Sequence, residues 1–409
     1  MRSFFCRMFK FFLFVGLIAL NAFSSAEAKN LPKITWANDI YMMTISDDYE
    51  NAEKKRSYQL LNTGSEEEQQ YNRERIIRAI DSKLKEQESS LPFQLVTTLD
   101  TDNLSERNFE LDDSSFESTF ALVPIIVTDF AIEHEYVLNG QHRYKYTIIS
   151  AVDIAFCTED RNGALTILAN IPLHFFETIP VSNSIEQMNQ RQRVELANIY
   201  ADFTVEMIKK HLDFTKARKL IKGLETKQFG DTYRVEDVTY TSDRARSVLG
   251  MNKLMQRIAG NVFTSEFAAY TGNVVYPMIL RGDNASWIMD ATQGFYVARM
   301  NTSHSGERVV RMPSEVDHRI FLDVSGAGHK EVQTRYTSDI NGFKAYRLWM
   351  KSTIDGKEIE VTNDITEEYL KDPSSSSKII KDEREIFGGL MIGAAVKSAA
   401  AQAGKKVKL

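Results

Sequence analysis

The sequence predicts an α+β protein of two consecutive domains, each an antiparallel β-meander packed with one or two helices. Three observations carry that reading. Phe120–Phe176 reads as three long strands, and in the middle one Tyr144, Tyr146, Ile148, Val152, Ile154 and Phe156 share one parity. Arg143, Lys145, Thr147, Asp153 and Cys157 share the other. A strand sends alternate side chains to opposite faces, so one face should be buried and the other wetter. Next, the joints at Asn139-Gly140 and Arg161-Asn162-Gly163 carry residues that tolerate positive φ. Finally, the second half restates the order of the first: strand, helix, strand, then meander.

In chain order, residues 1–28 read as a secretory signal peptide. Arg2, Arg7 and Lys10 precede the apolar run Phe11–Leu20, and Ala26-Glu27-Ala28 fits the small-x-small cleavage rule. Ile34–Trp36 and Ile40–Ile45 read as strand. Ser65 with Glu68 fits a capping box, opening a helix to about Glu88 whose Ile76, Ile77, Ile80 and Leu84 share one face. Phe93–Thr98 reads as a short strand, and Asp100–Ser118 as an acidic, serine-rich loop. Pro124 and Pro172 lack an N–H, so each belongs at an edge, end or bulge. Ser184 with Gln187 fits a second capping box, and the helix after it is expected to run to Lys222 and cover the meander.

The unit over 29–223 then gives way to a strand-rich unit over 224–362. Tyr233–Tyr240 is a strand and Met251–Phe267 a helix ending near Thr271-Gly272-Asn273. Val274–Leu280, Phe295–Met300, Arg308–Met312, Ile320–Val324, Glu331–Tyr336, Phe343–Thr353 and Lys357–Val361 are expected strands. Asn341-Gly342 and Asp355-Gly356 are hairpin signals. Residues 363–409 read as a polar linker and a tail of small and apolar residues.

The chain has 409 residues, 43% hydrophobic and 26% charged, which is material for two globular domains. Cleavage after Ala28 would remove three basic side chains and one acidic one, moving the net charge from −6 to −8. Phosphate contacts need clustered positive charge, so nucleic acid is not an expected partner. Only Cys157 would remain, and one thiol makes no internal disulfide. Its place on a strand reads as a small packed side chain rather than a nucleophile.

Phosphate loops, a Gly-x-Ser-x-Gly elbow, paired cysteines and His-Glu-x-x-His are not found, so no cofactor or metal is expected. A Ser/His/Asp site could be drawn through Asp317, His318, Ser325 and His329, but such residues are common in turns. Candidate contacts for a partner or a membrane lie elsewhere. His142, Arg143 and Lys145 interleave with tyrosines at a hairpin tip. In the tail, Gly389 and Gly393 form Gly-x-x-x-Gly, which favours close helix approach, and Lys405, Lys406 and Lys408 close the chain. The apolar core Ile386–Val396 is too short to span a bilayer, and the body is expected to fold without the tail. The element order is similar to that of small periplasmic modules of envelope assembly proteins, a likeness of order with no residue motif behind it.

These readings point to an exported, non-enzymatic binding or assembly protein of a periplasm or cell envelope. It would act through a protein partner or an envelope surface, with self-association through the tail. The alternative is an envelope hydrolase. A deep pocket of shifted titratable groups would favour the enzyme, and an exposed sheet edge or apolar patch the binder.

Overall fold

The computed structural model describes residues 31–43, 57–96, 119–138, 141–160, 163–226, 229–249, 253–279, 287–303, 306–332, 341–370 and 383–407. The signal-peptide reading, the Asn139-Gly140 turn, the acidic loop and Lys408 lie outside them. The strands are β1 (Lys33–Trp36), β2 (Tyr41–Met43), β3 (Ser57–Gln59), β4 (Gln94–Val96), β5 (Thr119–Leu138), β6 (Gln141–Glu159), β7 (Leu165–Val181) and β8 (Thr232–Thr239). They continue with β9 (Val274–Tyr276), β10 (Ile288–Asp290), β11 (Phe295–Thr302), β12 (Glu307–Pro313), β13 (His318–Val332), β14 (Asn341–Ile354) and β15 (Lys357–Leu370). The α-helices are α1 (Glu66–Glu86), α2 (Gln190–His211), α3 (Arg218–Thr226), α4 (Asp243–Leu249), α5 (Lys253–Thr271), α6 (Glu383–Gly389) and α7 (Val396–Val407). A π-helical turn, Leu390–Ala395, joins the last two.

The expected meander forms as β5, β6 and β7, antiparallel throughout. The two expected antiparallel units do not: helices and sheets are both present, but the sheets are mixed. One is ten-stranded, and the other runs β15-β14-β13-β8-β9 with parallel pairs at β13–β8 and β8–β9. Strands β10 to β12, expected in the second unit, join the first sheet instead. There β12 pairs parallel with β7 through Val310↔Leu165 and Arg311↔Thr166. Strand β2 pairs with β11 on one side and β5 on the other, so β5, β6, β7, β12, β11 and β2 close into a six-stranded ring. Pro124 falls between the stretches of β5 paired to β1 and to β2, and Pro172 lies beyond the residues of β7 paired to β12. Neither proline leaves a ladder donor missing on that edge.

Tyr146, Ile148, Val152, Ile154 and Phe156 are fully buried, as their shared parity predicts. Helix α2 covers that face, and its Tyr200 and Ser150 on β6 share a hydrogen bond of 2.9 Å. The opposite face is not wetter. Ile149, Ala151, Asp153, Ala155 and Cys157 are buried too. Helix α5 crosses there: Asn261 donates to Thr128 Oγ1 at 2.9 Å and Ser265 to the Pro172 carbonyl at 2.9 Å. Alternation reports that two faces differ, not what later elements cover each.

Local signals hold where the bonds they describe are local. Ser65 and Glu68 make the predicted capping box on α1. Asp355 and Gly356 turn with φ of 50° and 77°, the two positive values a tight hairpin needs. The second box forms five residues later than expected, as Asn189 and Gln192, and Ser184 opens only a short 3-10 turn. The expected single helix breaks at Leu212, where a 3-10 turn leads into α3. Asn341-Gly342 is not a turn but the start of β14, paired to Leu370 and Tyr369 of β15. Residues 363–370 are therefore strand rather than linker.

The tail is part of the body. Phe387, Met391, Ala395, Val396, Ala399, Ala400 and Ala403 are fully buried in the second core, with residues from α5, β8, β13 and β14. The expectation that the body is complete without it gives way to that packing. Ile386–Val407 is one helix long and apolar enough to cross a membrane by length and composition, and 65% of that window is buried inside the protein.

Candidate functional site

Ile288 and Met289, 66% and 55% exposed, are adjacent in β10. Successive strand residues face opposite sides, so this strand stands clear of the body on both faces. Among the described residues β10 pairs only with β11, through Ile288↔Val297, Met289↔Tyr296 and Asp290↔Phe295. Among the described residues nothing pairs with its other edge, where backbone donors and acceptors lie beside apolar side chains, the arrangement proteins usually avoid.

The hairpin is tied to the body by specific contacts. Asp290 accepts from the Thr292 hydroxyl at 2.6 Å and the Thr292 backbone N–H at 3.0 Å. Those bonds, the hydroxyl foremost, hold its carboxyl below the usual range. Gly294, at φ 71°, completes the turn. Trp287 is buried below the strand. Tyr296 lies under the Arg234 guanidinium at 4.9 Å. Arg234 is fully buried and donates to the Pro313 and Ser314 carbonyls, both at 2.7 Å, and to Glu236 at 2.6 Å. This charge is compensated on every side, so it ties β8 of the second sheet to the base of the hairpin.

The residues singled out from the sequence are not brought together as one site. His142 Nδ1 meets Glu135 across the β5–β6 hairpin, and Arg143 donates to Gln141 at 2.8 Å. Tyr146 of the same strand is buried and donates to the Asn183 carbonyl at 2.7 Å, while Lys145 is half-buried. Gly389 faces open space, whereas a Cβ on Gly393 would lie 3.1 Å from the Phe176 ring. The two glycines therefore do not share a helix-facing groove. Lys405 and Lys406 are exposed.

Groups that could do chemistry are separated or sealed. His318 Nδ1 meets Asp355 at 2.6 Å and its ring stacks on Tyr233 at 4.6 Å. Ser325 lies seven residues along the same strand, roughly 23 Å away at ~3.3 Å per residue, so the drawn triad does not assemble. Asp153 is buried and its carboxyl is pushed up to about 7 by burial, only partly offset by the nearby Asn170 amide, which lies outside hydrogen-bonding geometry. His174 is buried and held down to about 3, first by burial and then by Lys397. Burial also pushes the Cys157 thiol up. Each shift favours the neutral form of a side chain inside the fold. Among the described residues no group of three or more His, Cys, Asp or Glu is placed to hold a metal.

The sequence reading passed over β10 because three residues show no period. The usable signal was Asp290-Ala-Thr-Gln-Gly294, a turn pattern between Trp287-Ile288-Met289 and the alternating run from Phe295.

No protein-family model matches the chain, and no curated protein does. Among solved structures it is similar to a crystal structure of the rare lipoprotein B from Shewanella oneidensis, with 17% identity over 22% of this chain and 70% of that one. The TM-score is 0.17, too low for the likeness to bear on fold or function.

Proposed function

We propose that the chain is an exported, non-enzymatic binding protein of a periplasm or cell envelope that holds a protein partner along the free edge of β10. The observation that carries this reading is the pair Ile288 and Met289, exposed on opposite faces of a terminal strand. An extended apolar segment added there would gain main-chain hydrogen bonds and bury both side chains. Export is supported by the signal-peptide pattern of residues 2–28. The test is affinity capture from the native envelope with the mature chain and with Ile288→Asp/Met289→Asp. The double variant should lose the partner while its unfolding is nearly unchanged, because both side chains already face water. Equal recovery by both chains would contradict the reading.

A further inference from the structure

We infer that the C-terminal end of α2, helix α3 and the tail form one docking surface for an anionic lipid bilayer. Over 206–222 the chain carries six lysine or arginine side chains (Lys209, Lys210, Lys216, Arg218, Lys219 and Lys222) against two carboxylates, Glu206 and Asp213. The whole chain has 50 basic and 56 acidic residues, so this positive charge is segregated. All six side chains are exposed. Beneath them Ile221 and Leu224 are buried in the first core, which turns the basic side of α3 outward.

Helix stability accounts for only part of the patch. Lys209, Lys210 and His211 stand in the last turn of α2, where the helix dipole favours them. Arg218 and Lys219 stand in the first turn of α3, where it opposes them. The tail brings more positive charge to the same place. Lys210, Lys397 and Lys216 all act on His211, which after burial they hold below its ordinary value. Lys219 donates to Asn273, three residues beyond Tyr270, and Gly404 packs against the Tyr270 ring, so α3 and the end of the tail both meet the C-terminal end of α5. Of the nearby carboxylates, Glu266 pairs with Lys397 at 3.2 Å, and Asp213 accepts from the Thr215 hydroxyl at 2.6 Å and pairs with Lys216 at 3.5 Å, which leaves the other five basic side chains to carry the patch.

Charge complementarity calls for an anionic occupant, and choosing a bilayer over nucleic acid rests on the proposed export. The surface is separate from β10, so either proposal can fail alone. The experiment is vesicle flotation of the mature chain with phosphatidylglycerol–phosphatidylcholine and with pure phosphatidylcholine. Binding is expected to the first only, and to vanish between 0.15 M and 1 M salt as the screening length falls from ~8 Å to ~3 Å. Lys210→Glu/Lys216→Glu/Arg218→Glu should weaken it by about a hundredfold. Lys33→Glu/Lys330→Glu/Lys357→Glu, the same charge change at exposed positions elsewhere, should weaken it less than about fivefold. If the first triple variant fails to fold, Lys216→Gln/Lys222→Gln carries the same comparison. Equal loss in both triple variants, binding to neutral vesicles, or tighter binding to duplex DNA than to anionic vesicles would overturn the inference.

Discussion

Asp153→Asn should change how stability depends on pH. In the folded protein burial pushes the Asp153 carboxyl up to about 7 from its ordinary 3.8, because it disfavours the charge. The folded state therefore holds a proton that the unfolded chain has released. The Asp153 contribution is fully present below pH 3.8 and is lost as pH rises through about 7. A displacement of that size corresponds to roughly 4 kcal/mol. His174 works in the opposite direction. Its folded value is about 3 against 6.5, so its contribution is present above 6.5 and lost as pH falls toward 3. Between about pH 4 and 6.5 the two slopes nearly cancel in the natural chain. The asparagine variant keeps only the His174 slope. Urea unfolding at half-unit steps from pH 4 to 8 measures it: stability of the variant relative to the natural chain should rise by about 3–4 kcal/mol across the range. A flat difference would refute the placement of Asp153 as a buried, neutral carboxyl.

Other substitutions test the packing. Phe156→Ala, which removes a fully buried ring beside Phe93, should cost roughly 3–5 kcal/mol in denaturant unfolding, whereas Arg143→Ala should change little. Phe387→Ala should cost a similar 3–5 kcal/mol, because the tail ring packs edge-on to Tyr346 inside the second core. Gly393→Leu should lower thermal stability by about 1–3 kcal/mol by driving into Phe176, while Gly389→Leu should be nearly neutral. Arg234→Ala should cost roughly 3–5 kcal/mol, since it strands Glu236 and two carbonyls.

What the sequence revealed was local. The meander, its buried parity, the Ser65 cap and the Asp355-Gly356 turn all depend on residues a few positions apart, where pattern and bond coincide. Ring closure could not be read: β12 meets β7 through two residue pairs separated by about 145 positions, with nothing in either run to name the other. Asn341-Gly342 misled because a turn dipeptide also fits a strand whose partner lies at 369–370. The tail was ambiguous because small residues suit close packing on any surface, and only the Phe176 and Tyr270 rings show which one. The basic surface went unread because lysines on a covering helix look like an ordinary solvated face until α3 and the tail are set beside it.

The most direct measurement of the proposed function is photo-cross-linking in the native envelope from a benzophenone side chain at position 288. Position 71, another exposed large side chain but on α1, is the comparison. A discrete protein adduct from 288, not formed from 71 and removed by Met289→Asp, is the expected result. No adduct from 288, or the same adducts from both positions, would contradict binding at the β10 edge.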